Sequence, residues 1–163
     1  MLTKKEIEIM RANAKIHKEV FDEIRKVLKN WTTALEIDNL CWKIADKHWV
    51  LCGFKWVYNF PANICISVND VVVHWIPREW LVFYDWDLVT FDFWIKDKWV
   101  WVNTDAAISI IVGWNEKNPK WAKLIEANKK ALYAWIKQCV AWNRVWDISS
   151  AIQKEIESSW FKV

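Results

Sequence analysis

Glycine is almost missing from this chain, with 2 residues in 163. At the usual share of about 7% a chain of this length would carry roughly 11. Proline is scarce too, at 3. No excess of one charge is present: 23 Lys+Arg against 20 Asp+Glu leave a formal +3. That balance excludes the strongly basic surface that nucleic acid or an anionic membrane selects. No apolar run reaches the roughly 18 residues a membrane helix needs. The start, Met1-Leu2-Thr3-Lys4-Lys5-Glu6, has no apolar stretch of the secretory kind, so a cytoplasmic location is expected. The four cysteines, Cys41, Cys52, Cys65 and Cys139, form no C-x-x-C pair. A structural zinc site and a disulfide framework are both disfavoured, and reduced, mostly buried thiols are expected. No G-x-S-x-G, P-loop or H-E-x-x-H occurs.

What is present is a core and a pattern. An apolar share of 54% excludes a disordered chain, and the length suits a single domain over 1–163. Thr3 and Glu6 form a T-x-x-E capping box. Behind it Ile7, Met10, Ala14, Phe21, Ile24 and Leu28 recur at helical spacing, predicting a helix over 4–28. Thr33 and Glu36 repeat the box and start a helix running to Lys47. The period then changes to two. Segments 64–68, 88–95 and 100–112 alternate and are rich in β-branched residues, as strands are. Pro119 opens a third helix to about Cys139. Asp147 is expected to N-cap a fourth, with Ile148, Ala151, Ile152 and Ile156 as its stripe. Helices bracketing an antiparallel sheet give the α+β class.

The 16 tryptophans stand where glycine belongs. Trp49, Trp142 and Trp160 follow helices, at positions where the backbone turns left-handed. Asn30-Trp31 and Asp85-Trp86 occupy turns that usually read Asn-Gly and Asp-Gly. Lys98-Trp99 lies at the tip of the expected hairpin. A Trp-rich sugar-binding or aromatic-core protein would carry Trp on strands and faces instead. The placement predicts a decoding effect: UGA codons read as glycine in the cell and written as tryptophan. Restoring Gly at every Trp still creates no P-loop.

Two carboxylates carry the chemistry. Asp92 shares a strand face with Thr90 and Trp94, and Asp105 shares one with Asn103, Ala107 and Ser109. A hairpin turning at Lys98-Trp99 pairs positions that sum to 197, placing Asp92 opposite Asp105. Like charges so placed repel unless a cation lies between them, and a divalent metal with oxygen ligands supplies one. Two solvated strand aspartates are the plain alternative. His74, in Val73-His74-Trp75-Ile76-Pro77, is expected to close a strand. His48 is expected to serve as a helix-dipole partner, and His17 to lie on the surface.

Those residues carry a resemblance. Phe60-Pro61-Ala62-Asn63-Ile64-Cys65-Ile66-Ser67-Val68-Asn69, then His74-Trp75-Ile76-Pro77, resembles the methionine aminopeptidase pattern F/Y-P-x-S-x-C-I-S-x-N-x-x-x-x-H-G-I-P. Asp85-Trp86-Asp87-Leu88-Val89 is similar to its D-G-D-I-V, Thr104-Asp105-Ala106-Ala107 to its second aspartate motif, and Asp147-Ile148-Ser149-Ser150-Ala151-Ile152-Gln153 to its D-I-S-x-A-I-Q. Trp75, Trp86, Trp94, Trp142, Trp146 and Trp160 fall where that family has Gly. The resemblance implies the pita-bread fold of the creatinase-like metallopeptidases, in its N-terminal half. It implies that Asp92 and Asp105 are two of five ligands to two divalent metal ions (Co, Mn, Fe or Zn). It further implies that His74 contacts the scissile amide and shuttles a proton, and that Phe60 and Cys65 line the methionine pocket. The implied reaction is removal of the initiator methionine from nascent peptides, with the ribosome a possible partner and a monomer expected at full length.

Two departures bear on this. Asp92 and Asp105 are thirteen apart, two more than the family's spacing, and Asn103 stands at the usual place. The following Ile111-Val112-Gly113 favours Asp105, with Asn103 the alternative. The family also takes a His and two Glu ligands from a later segment that has no match here, so the chain as written is expected to be the N-terminal part of an enzyme and inactive alone. A non-catalytic pita-bread protein that binds a protein or ribosomal partner is the alternative, against which the retained Asp92, Asp105 and His74 argue.

Overall fold

Thr3 and Thr33 each start a helix by the mechanism their capping boxes predict. Each side chain accepts from the backbone N–H three residues on, and Glu6 or Glu36 accepts from the cap's own N–H in return. The helices are α1 (Lys4–Val27) and α2 (Ala34–Lys47), followed by β1 (Leu51–Cys52), a short 3-10 turn (Gly53–Trp56), β2 (Cys65–Val68), β3 (Leu88–Lys96), β4 (Asn103–Ile111), α3 (Pro119–Ile136) and α4 (Val145–Ser158). This computed structural model describes residues 2–57, 59–113 and 118–163. They fall into two compact units, Met1–Trp114 and Asn115–Val163.

In the first unit β3 is the central strand. Along one edge it pairs antiparallel with β1 (Cys52↔Ile95) and β2 (Cys65↔Asp92 to Val68↔Val89), and along the other with β4 over its full length. Alternation then sorts the side chains. Val89, Phe91, Phe93 and Ile95 of β3 and Ile66 of β2 join Val20, Phe21 and Ile24 of α1 and Ile37, Cys41 and Ile44 of α2 in one buried core. Thr90, Asp92 and Trp94 lie on the opposite face of β3, with Asp105, Ala107 and Ser109 of β4. In the second unit Asn118 accepts from the Trp121 N–H with Pro119 in the first turn. There α3 meets α4 through Ala127, Ala131 and Ile156.

The structure corrects several expectations. The β3–β4 register sums to 199, with Asp92↔Ala107 and Trp94↔Asp105 as partners. The loop is Asp97–Val102, because the Asp97 carboxylate accepts from the N–H groups of Trp99 and Val100 and starts the turn early. The shift of two keeps both aspartates on one face, but they are diagonal rather than directly opposite. In α1 the buried stripe runs through Asn13, Ile16, His17, Val20, Phe21 and Ile24, while Ile7 is exposed. His17 is therefore a core residue and not a surface one. His48 is the C-cap of α2 and lies 2.7 Å from the Glu19 carboxylate. His74 closes no strand; it lies outside β2 at φ 61°. The third helix stops at Ile136, so Trp142 sits in a later turn. Asp147 is not the cap of α4; it lies inside the first turn and accepts from the Arg144 N–H at 2.7 Å. Cys41, Cys52 and Cys65 are buried and Cys139 is exposed. No helix among the described residues is long and apolar enough to cross a membrane.

Candidate metal centre

Asp92 reaches the site because the Val89–Ile95 alternation commits its neighbours to the core and leaves its own side chain on the other face. Its strand neighbours there are Cys65 of β2 and Ala107 of β4. Asp105 stands one diagonal step away, opposite Trp94. Diagonal neighbours in an antiparallel pair are within reach of longer side chains, and the two carboxyl groups are close enough for the charge of Asp105 to act on Asp92. Partial burial pushes the Asp92 carboxyl from 3.8 to about 7, and the neighbouring Asp105 carboxylate adds to the rise. The Cys65 thiol is pushed up to about 12, first by burial and then by the negative charge of Asp92 and Asp105. It stays protonated at neutral pH and forms an apolar wall beside the carboxylates.

The other side of the site is aromatic. Trp94 donates its indole N–H to the Asn103 side chain at 3.2 Å, and Asn103 is thereby committed to the strand's end. The Trp94 ring covers Gly53 so closely that a Cβ there would come within 2.3 Å of it. Phe54 meets Trp94 edge-on at 5.7 Å, Phe60 at 5.4 Å and His74 at 6.4 Å between ring centroids. Phe60 and His74 thus both meet Phe54, and Cys65 pairs with Asp92 across the sheet. Further along the same face the Thr90 and Ser109 hydroxyls are 2.8 Å apart.

A residue that sequence reasoning missed supports the site from behind. His17 Nε2 lies 3.2 Å from both the backbone oxygen and the hydroxyl of Thr104, the residue before Asp105. Its ring packs edge-on to Phe93 at 5.7 Å and tilted against Phe21 at 6.1 Å. Burial holds its pKa below the usual histidine value. The signal was available: positions 17, 21 and 24 share one helical stripe. An open groove of about 670 Å³ runs between α1 and the start of β4, past Met10, His17, Asp22, Asn103 and Asp105.

The donor set suits a hard divalent cation, since carboxylate oxygens are its preferred ligands and a cation would relieve the repulsion. Among the described residues no third His, Cys, Asp or Glu joins the pair in a cluster able to hold a metal ion.

The sequence profile described as metallopeptidase family M24 matches residues 8–163. The chain belongs to this family. Among M24 relatives, it is 33% identical over 154 residues to the methionine aminopeptidase of Clostridium acetobutylicum, covering 94% of this chain and 60% of that protein. It is 34% identical over 163 residues to that of Haemophilus influenzae, covering 99% and 59%. The crystal structure of methionine aminopeptidase from Thermotoga maritima superposes with a TM-score of 0.89 at 31% identity, covering 96% of this chain and 61% of that one. That from Rickettsia prowazekii gives 0.88 at 27%, covering 97% and 62%. The fold is accordingly the pita-bread α+β fold of M24, and this M24 chain spans about three fifths of the length of the relatives it matches.

Proposed function

We propose that this M24 chain is the metal-binding and substrate-facing part of an aminopeptidase that removes the initiator methionine from nascent proteins. The paired carboxylates of Asp92 and Asp105 carry this reading. A fold gains nothing from holding two acids against each other, whereas a divalent ion between them turns the repulsion into binding energy. Asp92 and Asp105 would each give oxygen donors to a two-ion centre of Co, Mn, Fe or Zn. Bound there, the ions would polarise the first peptide carbonyl and lower the pKa of the attacking water. His74, held against Phe54, would exchange a proton with the scissile amide nitrogen. Phe60 and the protonated Cys65 would bound the space for the methionine side chain, with Phe54 between Phe60 and His74. Two carboxylates leave a divalent ion short of ligands, so among the described residues this pair alone would bind metal weakly.

The test is titration of the chain with Mn²⁺ by calorimetry, alongside Asp92→Asn and Asp105→Asn, and the same pair of variants in the full gene product assayed on a short peptide beginning with methionine. Loss of metal binding and of turnover in both variants, with circular dichroism unchanged, is the expected result. Metal binding that survives both substitutions would overturn the ligand assignment. Metal binding lost without any peptide cleavage by the full gene product would favour a non-catalytic M24 protein.

A further inference from the structure

We infer that the protein carries glycine at positions 31, 49, 86, 142 and 160 when made in its own cell, the codons there being decoded as glycine and not as tryptophan. The five Trp residues have φ of 71°, 58°, 82°, 75° and 66°. In that region the Cβ of an L-residue crowds the following carbonyl, a cost that the edge-on contact of Trp31 with Tyr84 and the Lys98 ammonium over Trp49 offset only by surface interactions. None of the five is buried; their exposures run from 51% to 100%.

The backbone hydrogen bonds show what each position is. Trp49 N–H donates to the Asp46 oxygen and Val50 N–H to the Ala45 oxygen, closing α2 with the paired bonds of a Schellman motif. At the end of α4 Trp160 N–H donates to the Glu157 oxygen and Phe161 N–H to the Ile156 oxygen. Phe161 also packs on the cluster of Ile156, the apolar contact that accompanies this motif. The other three are third residues of β-turns closed by bonds from Thr32 to Lys29, Asp87 to Tyr84 and Asn143 to Val140. A positive φ at that place is the type II turn, which requires glycine or asparagine.

The remaining positive-φ residues make the contrast. They are Asn59, Asn69, His74 and Gly113, all of types that tolerate or prefer the region. Among the described residues none of the phenylalanines or tyrosines adopts it, although they share the bulk of tryptophan. Gly113 shows the rule satisfied in ordinary fashion: at φ 81°, a Cβ would also sit 2.7 Å from the Asp85 carboxylate. Trp99 has an ordinary negative φ and is outside the inference, which corrects the expectation that it belonged with the others.

The decisive experiment is peptide mass mapping of the protein purified from its cell of origin. Peptides spanning positions 31, 49, 86, 142 and 160 are expected at the mass of glycine, lighter by an indolylmethyl group less one hydrogen. Tryptophan masses at positions 49 and 160 overturn the inference. A second measurement uses the chain as written, made with standard decoding. Trp49→Gly and Trp160→Gly each raise the unfolding midpoint, Trp49→Ala raises it less than Trp49→Gly, and Trp99→Gly does not raise it. An alanine at position 49 that equals glycine would also count against the inference, because strain at positive φ is then not what the residue feels.

Discussion

Replacing Asp92 with Asn is expected to stabilise the metal-free protein while destroying its capacity for metal. The folded state raises the Asp92 carboxyl from 3.8 to about 7, so the fold prefers the protonated acid. A group of this kind leaves stability untouched below about pH 4, where it is protonated in both states. It lowers stability progressively as pH rises from about 4 to about 7, and the full penalty persists above that. At about 1.4 kcal/mol per unit the ceiling is about 4 kcal/mol. The side chain is only partly buried, and solvent screening reduces this to about 1–2 kcal/mol. Asn keeps the shape and cannot ionise. Thermal unfolding in EDTA should therefore show Asp92→Asn melting a few degrees above the parent at pH 8 and level with it at pH 4. Buried His17, common to both proteins, cancels from the comparison. Added Mn²⁺ should raise the parent's midpoint and leave the variant's unchanged. A variant less stable than its parent at pH 8, or a difference that does not vary with pH, would refute the reasoning.

Three further perturbations follow from particular contacts. Thr33→Ala removes the side-chain acceptor of the α2 capping box and should cost about 1 kcal/mol in urea unfolding; a cost under a few tenths would mean the box contributes little. Phe91→Ala empties a fully buried position between the sheet and the helices and should cost about 3–5 kcal/mol, read the same way. His17 is buried with a lowered pKa, so its contribution is intact above the unfolded histidine value of about 6.5 and is lost as pH falls through and below it. His17→Gln should flatten that part of the stability profile, and an unchanged acid limb would show that His17 is not what titrates.

The elements were legible where one local rule acted alone. Thr3, Thr33 and Pro119 mark helix starts in the structure as they do in the sequence, since caps are settled within four residues. The face of Asp92 and Asp105 was legible because strand alternation fixes it. Their register was not: the Asp97 side chain captures two N–H groups and chooses the loop. Burial of His17 was hidden because its partner, Thr104, is 87 residues away. His74 was misplaced on a strand because its φ of 61° breaks the extended run that Val72 and Val73 suggest. The family was carried by whole motifs, which no periodicity supplies.

The β3–β4 hairpin has a consequence in time. Its strands are joined by only six residues, Asp97–Val102, so closing it costs little chain entropy and it can form in microseconds. The contacts that brace Thr104 against His17 span 87 residues and must wait until α1 docks. Asp92 and Asp105 therefore meet early, on a ribbon with one face still wet, and acquire their fixed geometry late. Pulse-labelled amide exchange should show protection in β3 and β4 preceding protection in α1; simultaneous protection would remove this order. If the order holds, an ion present during folding finds the carboxylates together before the protein has a core.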